Sequence, residues 1–90
     1  MNSVQTTSAP SVEEIQNWLL AQISARLNLD IEEIEIDESF DSYDLDSAQA
    51  MGLLSRLEIW LGRELNPVLI FNYPTVAELA ERLAEEVRAS

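Results

Sequence analysis

The sequence predicts an all-α fold, a small four-helix bundle with three main helices, one short helix and a long loop between the first two. Three observations predict it. Polar residues suited to capping stand at Ser11, Asp46 and Thr75, each with Glu or Gln three residues later. Apolar residues recur after each of them at steps of three and four. No stretch alternates with the two-residue period of a strand, and no segment repeats another. Ninety residues suit one small domain, and 47% hydrophobic residues suffice for a core without staples.

Met1–Pro10 are rich in Ser, Thr and Gln without an apolar period, and are expected to form a disordered tail, leaving 11–90 as the domain. Ser11 and Glu14 form a capping box, and Glu13 and Glu14 suit the first turn of a helix. Val12, Ile15, Leu19, Ile23 and Leu27 then trace one stripe, which Leu20 widens and Trp18 borders. The first helix is expected over Val12–Leu27.

From Leu29 to Asp46 the chain reads as loop. It carries nine carboxylates, from Asp30 to Asp46, and no basic residue. Ile31, Ile34, Ile36 and Phe40 are interspersed, and four apolar anchors argue for an ordered loop pinned onto the helices. A calcium loop starting at Asp37 would need Gly and Glu where Ser42 and Ala48 stand, so no metal site is expected there.

Asp44-Leu45-Asp46-Ser47-Ala48 closes this loop and opens the second helix, expected over Ser47–Arg63. Asp46 takes the N-cap position and Gln49 completes the box. Ser47 then falls at the first helical position, beside unpaired N–H groups and the positive end of the helix dipole. That place suits a hydroxyl that will carry a phosphate; it equally suits an ordinary polar residue beside a cap. Ala50, Leu53, Leu54, Leu57, Trp60 and Leu61 give this helix a broad apolar face, which Gly52 weakens. Asn66-Pro67 and Asn72-Tyr73-Pro74 are breaks, and Val68–Phe71 between them is expected to form a short helical turn. Thr75 caps the last helix, expected over Thr75–Arg88, in which Val76, Leu79, Ala80, Leu83 and Val87 form the clearest amphipathic pattern of the chain.

The charge bounds the function. A formal net charge of −12 disfavours nucleic acid and anionic membranes. It favours partners with a basic patch. No stretch approaches the length of a transmembrane helix, and the N-terminus lacks a signal-peptide pattern, so a cytoplasmic monomer is expected. With no His and no Cys, the chain lacks the usual general base, the commonest metal ligand and any thiolate. A serine nucleophile needs an adjacent base; Ser47 therefore reads as a substrate rather than a catalyst, and no catalytic residue is expected.

Two segments resemble the acyl carrier proteins of polyketide synthases. Phe40-Asp41-Ser42-Tyr43-Asp44-Leu45-Asp46-Ser47-Ala48 is similar to the family's Phe, short spacer, Gly-φ-Asp-Ser-Leu signature, φ being apolar. Phe71-Asn72-Tyr73-Pro74-Thr75, followed by Leu79-Ala80 and Leu83-Ala84, is similar to a second signature that discrete fatty-acid carriers usually lack. The resemblance spans about Val12 to Val87. It implies a freestanding carrier on which a phosphopantetheinyl transferase moves 4′-phosphopantetheine from coenzyme A to Ser47. The thiol of that arm would hold acyl intermediates as thioesters, visited by synthase enzymes such as a ketosynthase and an acyltransferase. The chain departs from the pattern at Asp44, where the family has glycine, and at Ala48, where it has leucine. Together with Asp46 these flank the implied attachment residue. The alternative is a carrier-like docking or structural module that is never modified.

Overall fold

In the computed structural model, residues 10–43 and 45–89 are described. The chain forms α1 (Val12–Leu27), α2 (Ser47–Leu61), α3 (Val68–Asn72) and α4 (Val76–Ala89). Two single 3₁₀ turns, Ile31–Glu33 and Phe40–Tyr43, lie in the segment joining α1 to α2. The tail expected at Met1–Pro10 lies, apart from Pro10, outside the described residues.

Local chemistry sets the ends. Ser11 caps α1 with both halves of its box in place, the Glu14 N–H donating to Ser11 Oγ at 3.1 Å and the Ser11 N–H to Glu14 Oε1 at 2.8 Å. Asn28 closes α1 at φ 59°, and its N–H donates to the Ser24 carbonyl. Asparagine tolerates that left-handed conformation better than most side chains. α2 stops at Leu61, two residues short of the expected Arg63, because Gly62 turns left-handed at φ 73° and ends the helix as a C-cap. Pro67 opens α3, and Asn66 Oδ1 accepts the Val68 N–H at 3.0 Å, which tightens the turn before it. Thr75 Oγ1 accepts the Glu78 N–H at 3.1 Å at the start of α4.

The four helices share one core. Ile15, Leu19 and Ile23 of α1, Leu57 of α2, and Val76, Leu79 and Leu83 of α4 are all but inaccessible. Leu69 and Ile70 of α3 close one end of it. Burying one such side chain stabilises by roughly 1.5–3 kcal/mol, which makes these residues the main support of the bundle. α1 packs most extensively on α4.

Of the four expected anchors of the acidic segment, Ile34 and Phe40 are buried. Ile36 packs at the edge of the core. Ile31 does not anchor anything: it is 46% exposed, on the outside of the first 3₁₀ turn. Backbone bonds do much of the pinning instead. The Phe40 N–H donates to the Pro74 carbonyl at 2.8 Å and the Ala77 N–H to the Ile36 carbonyl at 3.0 Å. The second bond also satisfies one of the orphan donors at the α4 N-terminus. These contacts hold the loop against the α3–α4 corner and so fix where α2 begins.

Candidate functional site at the mouth of α2

Asp46 is the N-cap of α2, as its spacing to Gln49 predicts. The Gln49 N–H donates to Asp46 Oδ1 at 2.9 Å, and the Asp46 N–H reaches Gln49 Oε1 at 3.4 Å. The Ala50 N–H is taken by the Asp46 carbonyl at 2.8 Å. This leaves the N–H groups of Ser47 and Ala48 without a partner among the described residues. Ser47 stands at the first helical position and is exposed, as is Ala48 after it. Asp44 lies outside the described residues.

Two long-range arrangements complete the site. Leu45, between Asp44 and the cap, is buried, and its N–H donates to the Phe40 carbonyl at 3.2 Å. That anchor fixes the approach of the chain to Asp46. Beside Ser47 opens a cleft of about 160 Å³. Its polar rim is Asp41, Asp46 and Ser47; its walls are Phe40, Leu45 and Ala50 on one side and Ile70, Phe71 and Pro74 on the other. Phe71 is 59% exposed although it borders this apolar space. The cleft matches in size an apolar cavity of roughly 150 Å³ that admits benzene, so it has room for a few methylene groups.

The cleft was not legible as a site in the sequence. Phe71 and Pro74 stand out there only as parts of a motif, and their placement opposite Asp46 and Ser47 depends on the Phe40–Pro74 bond.

The arrangement offers a solvent-facing hydroxyl and free backbone donors at a helix mouth, in a chain without histidine. Such a site can receive a phosphorylated group. A covalently held phosphate at Ser47 Oγ fits, since the two free N–H groups lie next to it and the positive end of the α2 dipole favours its charge. The neighbouring cleft gives the apolar part of such a group a surface.

This helical bundle with a serine at the head of its second long helix defines a class. The phosphopantetheine attachment site family matches residues 17–83, and the chain belongs to that family. It is a carrier domain of the kind that holds 4′-phosphopantetheine covalently. Among solved structures it is similar to Asl1650, an acyl carrier protein from Anabaena sp. PCC 7120 with a variant phosphopantetheinylation-site sequence. The two are 58% identical, with a TM-score of 0.83 over 90% of this chain and 92% of the other. A free-standing peptidyl carrier protein from Acinetobacter baumannii is 31% identical, with a TM-score of 0.79 over 86% and 96%. Among sequence relatives, a phenolphthiocerol/phthiocerol polyketide synthase of Mycobacterium tuberculosis is 35% identical over 82% of this chain. Polyketide synthase PksL of Bacillus subtilis is 30% identical over 88%. The chain spans 4% and 2% of the lengths of these two synthases. Among the described residues no helix is long and apolar enough to cross a membrane.

Proposed function

We propose that Ser47 is the attachment residue and that the chain shuttles acyl groups in a polyketide-type or fatty-acid-like pathway. The observation that carries this reading is the exposed Ser47 hydroxyl at a capped helix mouth with unpaired N–H groups beside it. In the transfer, Ser47 Oγ forms a bond to the coenzyme A phosphorus that bears the pantetheine. The pyrophosphate bond breaks, and adenosine 3′,5′-bisphosphate leaves. The serine proton passes to a base of the phosphopantetheinyl transferase, because this chain has no His to accept it. When bound, the arm supplies a terminal thiol that holds an acyl chain as a thioester.

This chain's own residues do the rest. Asp46 holds the helix mouth open toward Ser47. Asp41 on the cleft rim, together with Asp44 and Asp46, offers negative charge to a basic transferase. Ala48 offers a smaller apolar contact than leucine would. Partners in this reading are the transferase and visiting synthase enzymes such as a ketosynthase and an acyltransferase. The chain acts as a cytoplasmic monomer, is not itself an enzyme, and binds neither nucleic acid nor membrane. The described part of 11–90 forms the carrier domain.

The test is incubation with coenzyme A and a phosphopantetheinyl transferase, followed by intact mass measurement. Wild type gains one 4′-phosphopantetheine, and Ser47→Ala gains none while keeping its helical circular dichroism, since alanine is tolerated at an exposed first-turn position. A wild type that gains no mass with several transferases points instead to an unmodified docking module. A Ser47→Ala chain that still gains the group would sink the assignment of the residue.

A further inference from the structure

The second helix is neutral in an otherwise strongly acidic chain, with Arg56 and Glu58 as its charged residues. The formal net charge is −12, yet between Ser47 and Leu61 the helix holds a single carboxylate, Glu58. Glu58 is occupied: its Oε2 accepts the Leu65 N–H at 2.7 Å. Arg56 is exposed and reaches across to α1, where its Nη1 donates to Gln22 Oε1 at 3.2 Å. Arg26 of α1 borders the same depression, together with Gln22 and Ala25. Among the described residues neither Arg26 nor Arg56 is ion-paired, and both are exposed.

An apolar surface adjoins this pair of cations. Ile59, one turn from Arg56, is 82% exposed, and Trp60 is 41% exposed. Trp60 stacks on Trp18 of α1, with ring centroids 5.3 Å apart and planes 17° from parallel. The Trp18–Trp60 stack and the Gln22–Arg56 bond thus tie α1 and α2 into one seam. The bundle does not need Ile59 where it stands. It contributes nothing to the core, and a β-branched side chain is a poor choice for an exposed helical position. Single exposed apolar residues are ordinary on a surface. Here one stands on α2 next to a half-exposed tryptophan and one turn from Arg56, and Trp and Arg are the residues that most often carry binding energy at interfaces.

We propose that the α1–α2 seam is a docking surface for a protein partner that sets carboxylates against Arg26 and Arg56 and an apolar side chain on Ile59 and Trp60. Charge complementarity selects this occupant: guanidinium forks without an ion-pair partner match carboxylates. The chain's excess negative charge does not forbid it. At physiological salt the screening length is about 8 Å, so charges farther away than this weigh little at the seam. Arg56 lies about 13 Å along α2 from Ser47, and the surface is present whether or not Ser47 is modified. The proposal therefore stands or falls separately from the attachment reading.

The chain's two tryptophans both lie in the seam, so their emission reports on it. The probes are two helical peptides of roughly 18 residues, long enough to hold a helix. Both carry the same leucine ridge, flanked by glutamates in one and by glutamines in the other. The unmodified full chain is titrated with each at physiological salt. The glutamate peptide is expected to change the emission saturably and the glutamine peptide to bind on the order of tenfold more weakly. Arg26→Glu with Arg56→Glu should weaken the glutamate peptide by a similar factor, and Ile59→Ser should weaken both peptides. Ile59→Ser removes no core contact and keeps the test valid if the double charge reversal disturbs folding. The proposal is overturned if the glutamate peptide gives no saturable change, if the glutamine peptide binds equally well, or if the folded variants bind as wild type does.

Discussion

Tyr43 and Glu35 are latched together, the Glu35 N–H donating to Tyr43 Oη at 2.7 Å and that hydroxyl donating to the Glu35 carbonyl oxygen at 3.3 Å. The pair closes the acidic loop on itself, just ahead of the chain's approach to Asp46. Asp37, Glu38 and Asp41 fall inside the closed segment with no base among them. The hydroxyl thus adds to the buried side chains and backbone bonds that hold together a segment whose charges push it apart.

Tyr43→Phe should open this latch while keeping the ring against the core. Two modest hydrogen bonds are lost, and a destabilisation of about 1–2 kcal/mol is expected. Urea denaturation checks it. Unchanged stability would mean that the loop is held by Phe40 and its Pro74 bond alone.

The loop charges themselves predict a salt response. Asp30, Glu32, Glu33, Glu35, Asp37, Glu38, Asp41 and Asp46 are all exposed and lie close in sequence. Screening should relieve their repulsion, raising Tm by about 2–5 °C between low and physiological salt. The surface pairs of Arg82 with Glu85 and Glu86 weaken in the same change, but exposed pairs are worth little. A flat or falling Tm would show that the repulsion does not limit stability.

Gly52→Ala should stabilise the domain. The residue lies inside α2, and a Cβ there would meet nothing within 4 Å. No neighbour requires the glycine, so the helix bears its full conformational cost. The expected gain is about 0.5–1 kcal/mol, read from thermal or urea unfolding. A loss of stability would point to a hidden steric demand.

Ala48→Leu should speed transfer to Ser47 by a generalist transferase without affecting the fold, because the position is exposed beside the acceptor. A half-buried leucine adds about 1 kcal/mol of contact, or roughly fivefold in kcat/KM. Asp44→Gly, which removes a negative charge from the approach to Ser47, is expected to act in the same direction. Being close, the two need not be additive. Initial rates of mass gain decide it, and slower transfer to Ala48→Leu would show that the wild-type contact is already optimal for its partner.

The sequence by itself determined the helices and the helix mouth. Caps and 3.6-residue periods act within one or two turns, so Ser11–Glu14, Asp46–Gln49 and Thr75–Glu78 could be read directly, and Ser47 with them. The apolar period of α2 runs on toward Arg63, whereas Gly62 already turns the backbone left-handed and ends the helix at Leu61. Ile31 looked like an anchor because composition counts an isoleucine without knowing which way it faces. Only the tertiary structure decided which distant residues meet: Tyr43 with Glu35, Phe40 with Pro74, Glu58 with Leu65, Trp18 with Trp60, and Phe71 across the cleft from Asp46. Those pairings arise when packing of the apolar faces fixes how the elements sit against one another. No local pattern encodes them, since each partner would look the same in the sequence if its mate lay elsewhere.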